Sequence, residues 1–218
     1  LANSVDAALD YYEFFGMEWE RQMLIRLRFV AGPEALAQRF AGAITPFVYR
    51  RHIDPGVARA VRAMKARIED ERRRAGRDIE ADLKEGPGGI RDVEFLVQAF
   101  QLFHGGRFEA LRGGSVAEVL AVLGRLELLP AAAVIDLSQA YTWLRRAEHA
   151  LQMVEERQTQ RFPRERFGQI ALARRMGYLE PEGERARERL LGDWTTLRSR
   201  VRAQFEALVL GEGDDAAA

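Results

Sequence analysis

One stretch of the sequence brings polar, charge-bearing groups onto a single helical line. Arg91, Glu94, Gln98 and Gln101 follow one another at 3-4-3 spacing, which stacks them along one narrow face of an α-helix. The residues around that line are apolar nearly all round, among them Ile90, Val93, Phe95, Leu96, Val97, Phe100 and Leu102. That is the pattern of a central, buried helix, so the polar line must be hydrogen-bonded to something. It either faces a ligand cleft or forms a structural network that sets register against neighbouring helices, and the spacing by itself favours the network.

The run Lys84-Glu85-Gly86-Pro87-Gly88-Gly89 precedes that helix. Glycines let backbone approach a phosphate, a helix N-terminus favours an anion, and Lys84 could add a point charge. The run is not the Gly-x4-Gly-Lys-Ser/Thr loop. Asp92 in the first turn suits the helix dipole but repels an anion, so spacing alone favours a tight turn. A second position is Glu148, within an apolar seam of Val134, Leu137, Tyr141, Leu144 and Leu151. A buried carboxylate without a partner is expensive, which predicts an arginine beside it and a structural ion pair as the simpler reading. His52, His104 and His149 are scattered, without the spacing of a metal cluster, and no metal site is expected. Trp19, Trp143 and Trp194 are expected as core anchors.

Helices must position all of these groups. No run of alternating β-branched residues stands out, and helical periodicity predicts helices over 6–29, to about 49, from 54 to about 76, and over 90–104, 115–128, 131–160, 163–176 and 181–210. Ser4 or Asp6 is the expected first cap, Gly32-Pro33 a break, and Asp54-Pro55 a further helix start. Short connections between helices predict an all-α bundle. Glu69–Glu71 followed by Arg72–Arg74 reads as a solvated helix end, and 211–218 as a disordered tail.

Composition narrows the class. In 218 residues, 33 basic groups balance 33 acidic ones, so there is no overall field to gather nucleic acid or an anionic membrane. All the basic residues except Lys65 and Lys84 are arginine, which weakens any argument from a single arginine and singles out the lysines. The absence of cysteine excludes disulfides, thiol catalysis and thiolate zinc. No apolar run approaches a membrane span, and the cytoplasm is the expected compartment. Leu1 is not an initiator methionine, and the chain is expected to be part of a larger protein.

Four segments carry a resemblance: 15–32 (FGMEWERQMLIRLRFVAG), 46–54 (PFVYRRHID), 83–107 (LKEGPGGIRDVEFLVQAFQLFHGGR) and 144–152 (LRRAEHALQ) leading to ERQTQ at 156–160. Together and in this order they resemble the bifunctional glutamine synthetase adenylyltransferase/adenylyl-removing enzyme family. The resemblance implies two similar halves, each a nucleotidyltransferase domain followed by a helical domain. Residues 1–32 are then the remnant of a nucleotidyltransferase domain and 33–210 a helical bundle domain. The second and fourth segments look more like the first half, in which AMP is removed from a tyrosine of glutamine synthetase with phosphate as acceptor and ADP released. The other half adds AMP from ATP, and PII signal proteins regulate both.

The family's metal-binding carboxylates lie upstream of the matched segments, so the chain is expected to hold no complete catalytic centre. Mg²⁺ with ATP, ADP or phosphate is expected in the parent only. The resemblance makes Arg91, Asp92 and Glu94 candidates for the cleft wall, and Lys84, Arg91, Arg26 and Arg28 candidates for nucleotide or phosphate contact. Arg26 stands where relatives often have lysine and Pro33 where they often have aspartate. The alternatives are an interaction module for PII or glutamine synthetase, a plain scaffold between catalytic halves, and the related helical domain of the PII uridylyltransferase, against which the length and order of the segments argue.

Overall fold

In the computed structural model, which describes residues 3–50, 70, 79–154 and 160–207, eight α-helices and one 3-10 turn make up the regular structure. No strand occurs among the described residues, and the expected all-α architecture is observed. Helix α1 (Val5–Phe14) starts at Ser4, whose Oγ accepts from Ala7 N at 3.2 Å, satisfying one of the amides a helix start leaves free.

The single helix expected over 6–29 is two: α1, and α2 (Glu18–Leu24). Gly16 lies at the break, where a Cβ would come within 2.5 Å of the Phe47 ring and of the Tyr12 carbonyl. Glu20 then secures the new start by accepting from Met17 N at 2.8 Å. Periodicity ran on across this turn, but close packing against α3 (Glu34–Val48) folds the chain there. Trp19 is correspondingly no core anchor; it is 53% exposed.

Helix α4 (Ile90–His104) has the predicted bounds. It is followed by the 3-10 turn Glu109–Leu111, α5 (Val116–Arg125), α6 (Ala131–Gln152), α7 (Arg166–Arg175) and α8 (Gly183–Phe205). Helix α6, expected to run to 160, ends at Gln152. The chain from Gln160 to Phe162 pairs instead with the loop before α4, Leu83 N donating to Gln160 O at 2.9 Å and Phe162 N to Ala81 O at 2.7 Å. Phe162 stacks on Trp194 with ring centroids 3.8 Å apart, burial that a continued helix could not supply. Of the helix predicted over 54–76 only Asp70, which is helical, is described, and the tail 211–218 lies outside the described residues.

Three apolar clusters hold the chain together. One packs α4, α5, α6 and α8 around Leu96, Leu120, Leu123 and Leu137. A second packs α6, α7 and α8 around Leu144, Leu172 and Leu190. The third joins α2 and α3 to Ala99 and Leu102 of α4. Helix α4 reaches all three, because Ile90 belongs to the second, so its polar residues are held by packing on several sides. Each fully buried leucine contributes about 1.5–3 kcal/mol of transfer energy. Among the described residues no helix is long and apolar enough to cross a membrane.

Candidate functional site

The loop before α4 is a tight turn. Asp82 Oδ1 accepts from Lys84 N and Glu85 N at 2.9 and 2.8 Å. The first amides of α4 turn back into the same loop: Ile90 N donates to Leu83 O, Arg91 N to Lys84 O and Asp92 N to Gly89 O. A helix start whose amides are already bonded has few left for an anion. Gly88, at φ 71°, sits where a Cβ would be 2.2 Å from Arg198 O. Its conformation serves close packing against α8. Asp92 belongs to this turn as well. Its Oδ2 accepts from Gly88 N at 2.8 Å and the residue is buried.

The turn aims other groups outward. Lys84, Arg91, Glu94 and Gln98 line a cavity of about 460 Å³ together with Arg26, Phe95, Tyr141 and Arg145. Arg26 comes from the chain just after α2, Lys84 from the loop, Arg91 and Glu94 from α4, and Arg145 from α6. Arg26 Nη2 lies 3.4 Å from Glu94 Oε1, Arg91 Nη2 3.5 Å from Glu85 Oε1, and Arg145 Nη1 2.6 Å from Glu148 Oε2. Lys84 makes no ion pair among the described residues. Arg91 Nε is buried without an acceptor, while its guanidinium stands 5.8 Å from the centre of the Phe95 ring.

The polar line on α4 therefore divides. Gln101 is buried and donates to Leu111 O and Gly113 O at 2.8 and 2.9 Å, a structural link to the 3-10 turn. Gln98 lies between the two sides of the cavity. It is 2.6 Å from Gln22 Nε2, and with its amide turned over its oxygen accepts from Arg26 Nε at 3.0 Å. Arg91 and Glu94 face the cavity. A second cavity of about 410 Å³ adjoins the first, sharing Arg26, Glu94, Gln98 and Tyr141 and bordered by Arg28, Leu27, Val97, Gly113 and Val116. Of the sequence-derived candidates, Lys84, Arg91, Glu94 and Arg26 converge, Arg28 borders the neighbouring cavity, and Asp92 lines neither.

Glu148 has the arginine partner its seam position predicted, from the preceding turn of α6. Arg145 and Tyr141 were not read as site residues. Tyr141 stands out only as part of the seam with Glu148, and Arg145 only within the matched segment 144–152. The Tyr141 hydroxyl is pushed above its ordinary range, first by burial and next by the charge of Glu94. Arg198 was also missed. It donates from Nε to Pro87 O and from Nη1 to Glu80 O, both at 2.8 Å, and its guanidinium lies over Trp194. Burial pulls its pKa below the usual guanidinium range. It clamps the loop that carries Lys84, and no local pattern could link residues so distant in sequence.

A family model described as GlnD PII-uridylyltransferase matches residues 62–209, more than half of the chain. The chain belongs to that family. A second model, glutamate-ammonia ligase adenylyltransferase, matches residues 1–43. Curated relatives are bifunctional glutamine synthetase adenylyltransferase/adenylyl-removing enzymes. The chain is 43% identical to that of Nitrosococcus oceani over 84% of its own length and 19% of the relative's. It is 38% identical to that of Pseudomonas aeruginosa over 99% of its length and 21% of the relative's. With that of Thioalkalivibrio sulfidiphilus the identity is 40% over 100% of the chain and 22% of the relative. The chain thus spans about a fifth of the curated relatives it matches. The resemblance read from the four segments is to this bifunctional enzyme. The helical stretch is matched by a model named for the uridylyltransferase, so this helical type is not confined to one of the two names.

Proposed function

We propose that the chain is a region of the adenylyl-modifying enzyme of glutamine synthetase, and that its helices form one wall of that enzyme's active-site cleft. The parent removes AMP from a tyrosine of glutamine synthetase, phosphate accepting it and ADP leaving, and in its other half adds AMP from ATP. One observation carries the reading: Arg26, Lys84, Arg91 and Glu94, drawn from three separate segments, line one cavity. Residues 1–32 are read as the end of a nucleotidyltransferase domain and 33–210 as the helical domain of the deadenylylating half.

The cavity suits the phosphates of ATP, ADP or the phosphate acceptor by charge, since guanidinium and ammonium groups recognise phosphate oxygens. It does not suit Mg²⁺. Its single carboxylate, Glu94, stands among four cations, and no group of three metal-ligating side chains occurs among the described residues. We assign Mg²⁺ to carboxylates elsewhere in the parent, which leaves this chain alone without turnover in its cytoplasmic setting.

Alanine at Arg91 or Glu94 in the full-length enzyme is expected to lower turnover while leaving circular dichroism unchanged. Wild-type rates in both variants would overturn the cleft-wall role. A specific observation favours a second reading. Phe14, Phe15, Trp19, Phe29 and Val30 are all more than half exposed, an apolar surface away from the polar line of the kind that docks proteins. It would receive glutamine synthetase or PII. Serine at Phe15 would then weaken association with that partner and leave the parent's own stability unchanged. The plain-scaffold alternative has no such support, because the polar line borders a cavity.

A further inference from the structure

We infer that Arg198 is a positioning residue for the parent's reaction: from α8, outside the cavity, it anchors the loop that carries Lys84 and so sets where Lys84 stands in the cleft wall. The inference rests on the cleft-wall reading and deepens it, since Arg198 itself does not line the cavity.

Lys84 sits in the middle of a loop held on both sides by one side chain. Arg198 Nε donates to Pro87 O and Nη1 to Glu80 O, both at 2.8 Å, so one bond precedes Lys84 in the chain and the other follows it. Arg198 also closes on the loop's glycines. A Cβ on Gly88 would lie 2.2 Å from Arg198 O, and one on Gly86 would lie 2.9 Å from Arg198 Nη2. Bonds within the loop, Lys84 N to Asp82 Oδ1 and Arg91 N to Lys84 O, hold Lys84 against the start of α4. Those bonds give the loop its shape, and Arg198 gives that shape its place against α8.

Arg198 is itself held. Its guanidinium stands 5.0 Å from the centre of the Trp194 ring, Trp194 stacks on Phe162, and Phe162 N donates to Ala81 O in the same loop. Helix α8, the segment 160–162 and the loop thus hold one another. The Arg198 side chain is only 14% exposed, and a cation so placed needs polar partners, which the two carbonyls and the ring face supply. Two carbonyls in different parts of the loop need two donors at a fixed separation. A planar guanidinium offers that fork, and a single ammonium does not. The ion pair with Glu80 is looser, at 3.8 Å to a carboxylate 76% exposed, and contributes little. The carbonyl bonds therefore do the positioning.

The test is a double-mutant cycle in the full-length enzyme, with deadenylylation of adenylylated glutamine synthetase as the reaction. Arg198→Lys keeps the charge and loses the fork. It is expected to lower kcat/KM by about tenfold to a hundredfold, the scale of a site group displaced by about an ångström. In a Lys84→Ala background the same substitution should lower it no further, because residues that act as one unit are not additive. Glu80→Gln should keep the wild-type value. Additive losses, or wild-type kcat/KM in Arg198→Lys, would overturn the inference. A second readout needs no turnover. Lys84 and Lys65 are the chain's two lysines, so acylation by an amine-reactive ester, read peptide by peptide in a mass spectrometer, reports on Lys84 with Lys65 as reference. Lys84 is half-buried, and its labelling relative to Lys65 should rise in Arg198→Lys while circular dichroism stays unchanged. Gly88→Ala pushes the loop off Arg198 O and should raise the same ratio, which keeps the test decisive if Arg198→Lys does not fold. An unchanged ratio overturns the inference whatever the turnover. A raised ratio with wild-type turnover in Lys84→Ala would remove the cleft-wall role and leave Arg198's hold on Lys84 intact.

Discussion

The helices before Tyr49 and those after Gly89 bury their side chains by different means. In the later helices the fully buried side chains are aliphatic, most of the large ones leucines: Leu96, Leu120, Leu123, Leu137, Leu144, Leu172 and Leu190 are all at 0% exposure. In the earlier ones the largest fully buried side chain is Arg21, 1% exposed, while Phe14 and Phe15 are 72% and 70% exposed. Helix α1 has no buried residue at all. Arg21 is held by polar contacts, donating from Nε to Phe47 O at 2.9 Å and from Nη2 to Val48 O at 3.0 Å, with Glu18 beside it. It thereby satisfies carbonyls that the end of α3 leaves free. A layer with charge inside and aromatic rings outside has its apolar surface turned toward something else. The later helices are a self-contained core. The cavity lies on the seam between the two regions, where Arg26 meets Glu94 and Gln22 meets Gln98.

The sharpest way to break this contrast is a matched pair of substitutions. Leu144→Ala should lower stability by about 2–5 kcal/mol, the usual cost of a leucine-sized core cavity. Phe15→Ser should stay within about 0.5 kcal/mol, as surface changes do. Urea denaturation of both measures the difference, and equal losses would mean the aromatic surface is part of the core. Next, Arg21→Met strips two buried carbonyls of their donor and should cost about 1–3 kcal/mol. Amide hydrogen exchange should quicken in α3 and not in α6. Uniform quickening would show one cooperative unit.

Similar in size, Gly88→Ala tests whether the loop's shape depends on α8. Positive φ and a 2.2 Å approach to Arg198 O predict a loss of about 1–3 kcal/mol, read by urea denaturation. The smallest effect is confined to alkaline pH. The Tyr178 hydroxyl accepts from Trp143 Nε1 at 2.8 Å and donates to Asp193. Burial first, and the bond to Asp193 next, raise its pKa from 10.0 to about 12. A raised pKa means that the folded state holds the proton more tightly, so this stabilisation is full below pH 10 and fades as pH climbs toward 12. Tyr178→Phe should flatten that part of the stability–pH curve in the later helices. An unchanged slope would place the alkaline loss elsewhere.

Much of this architecture was legible beforehand because it is written locally. The bounds of α4 followed from a glycine cap and an unbroken apolar period. The partner of Glu148 followed from the cost of an isolated buried carboxylate, and the arginine stood one turn away. The break at Gly16 escaped because both sides of it are helix-forming, and only the Phe47 ring forces the turn. The polar line on α4 could be recognised but not apportioned, since Gln101 and Glu94 share a face in sequence and separate only according to what packs against each.

The chain by itself determined that it is helical, where its central helix lies, that it carries no thiol chemistry, and which enzyme family its segments resemble. These rest on period, capping and composition, which act over a few residues. Only the tertiary structure decided that Arg198 clamps the glycine loop and that Arg26, Lys84, Arg91 and Arg145 face one space. Those outcomes depend on which helix faces are brought together, and burial energy summed over the whole core selects that arrangement.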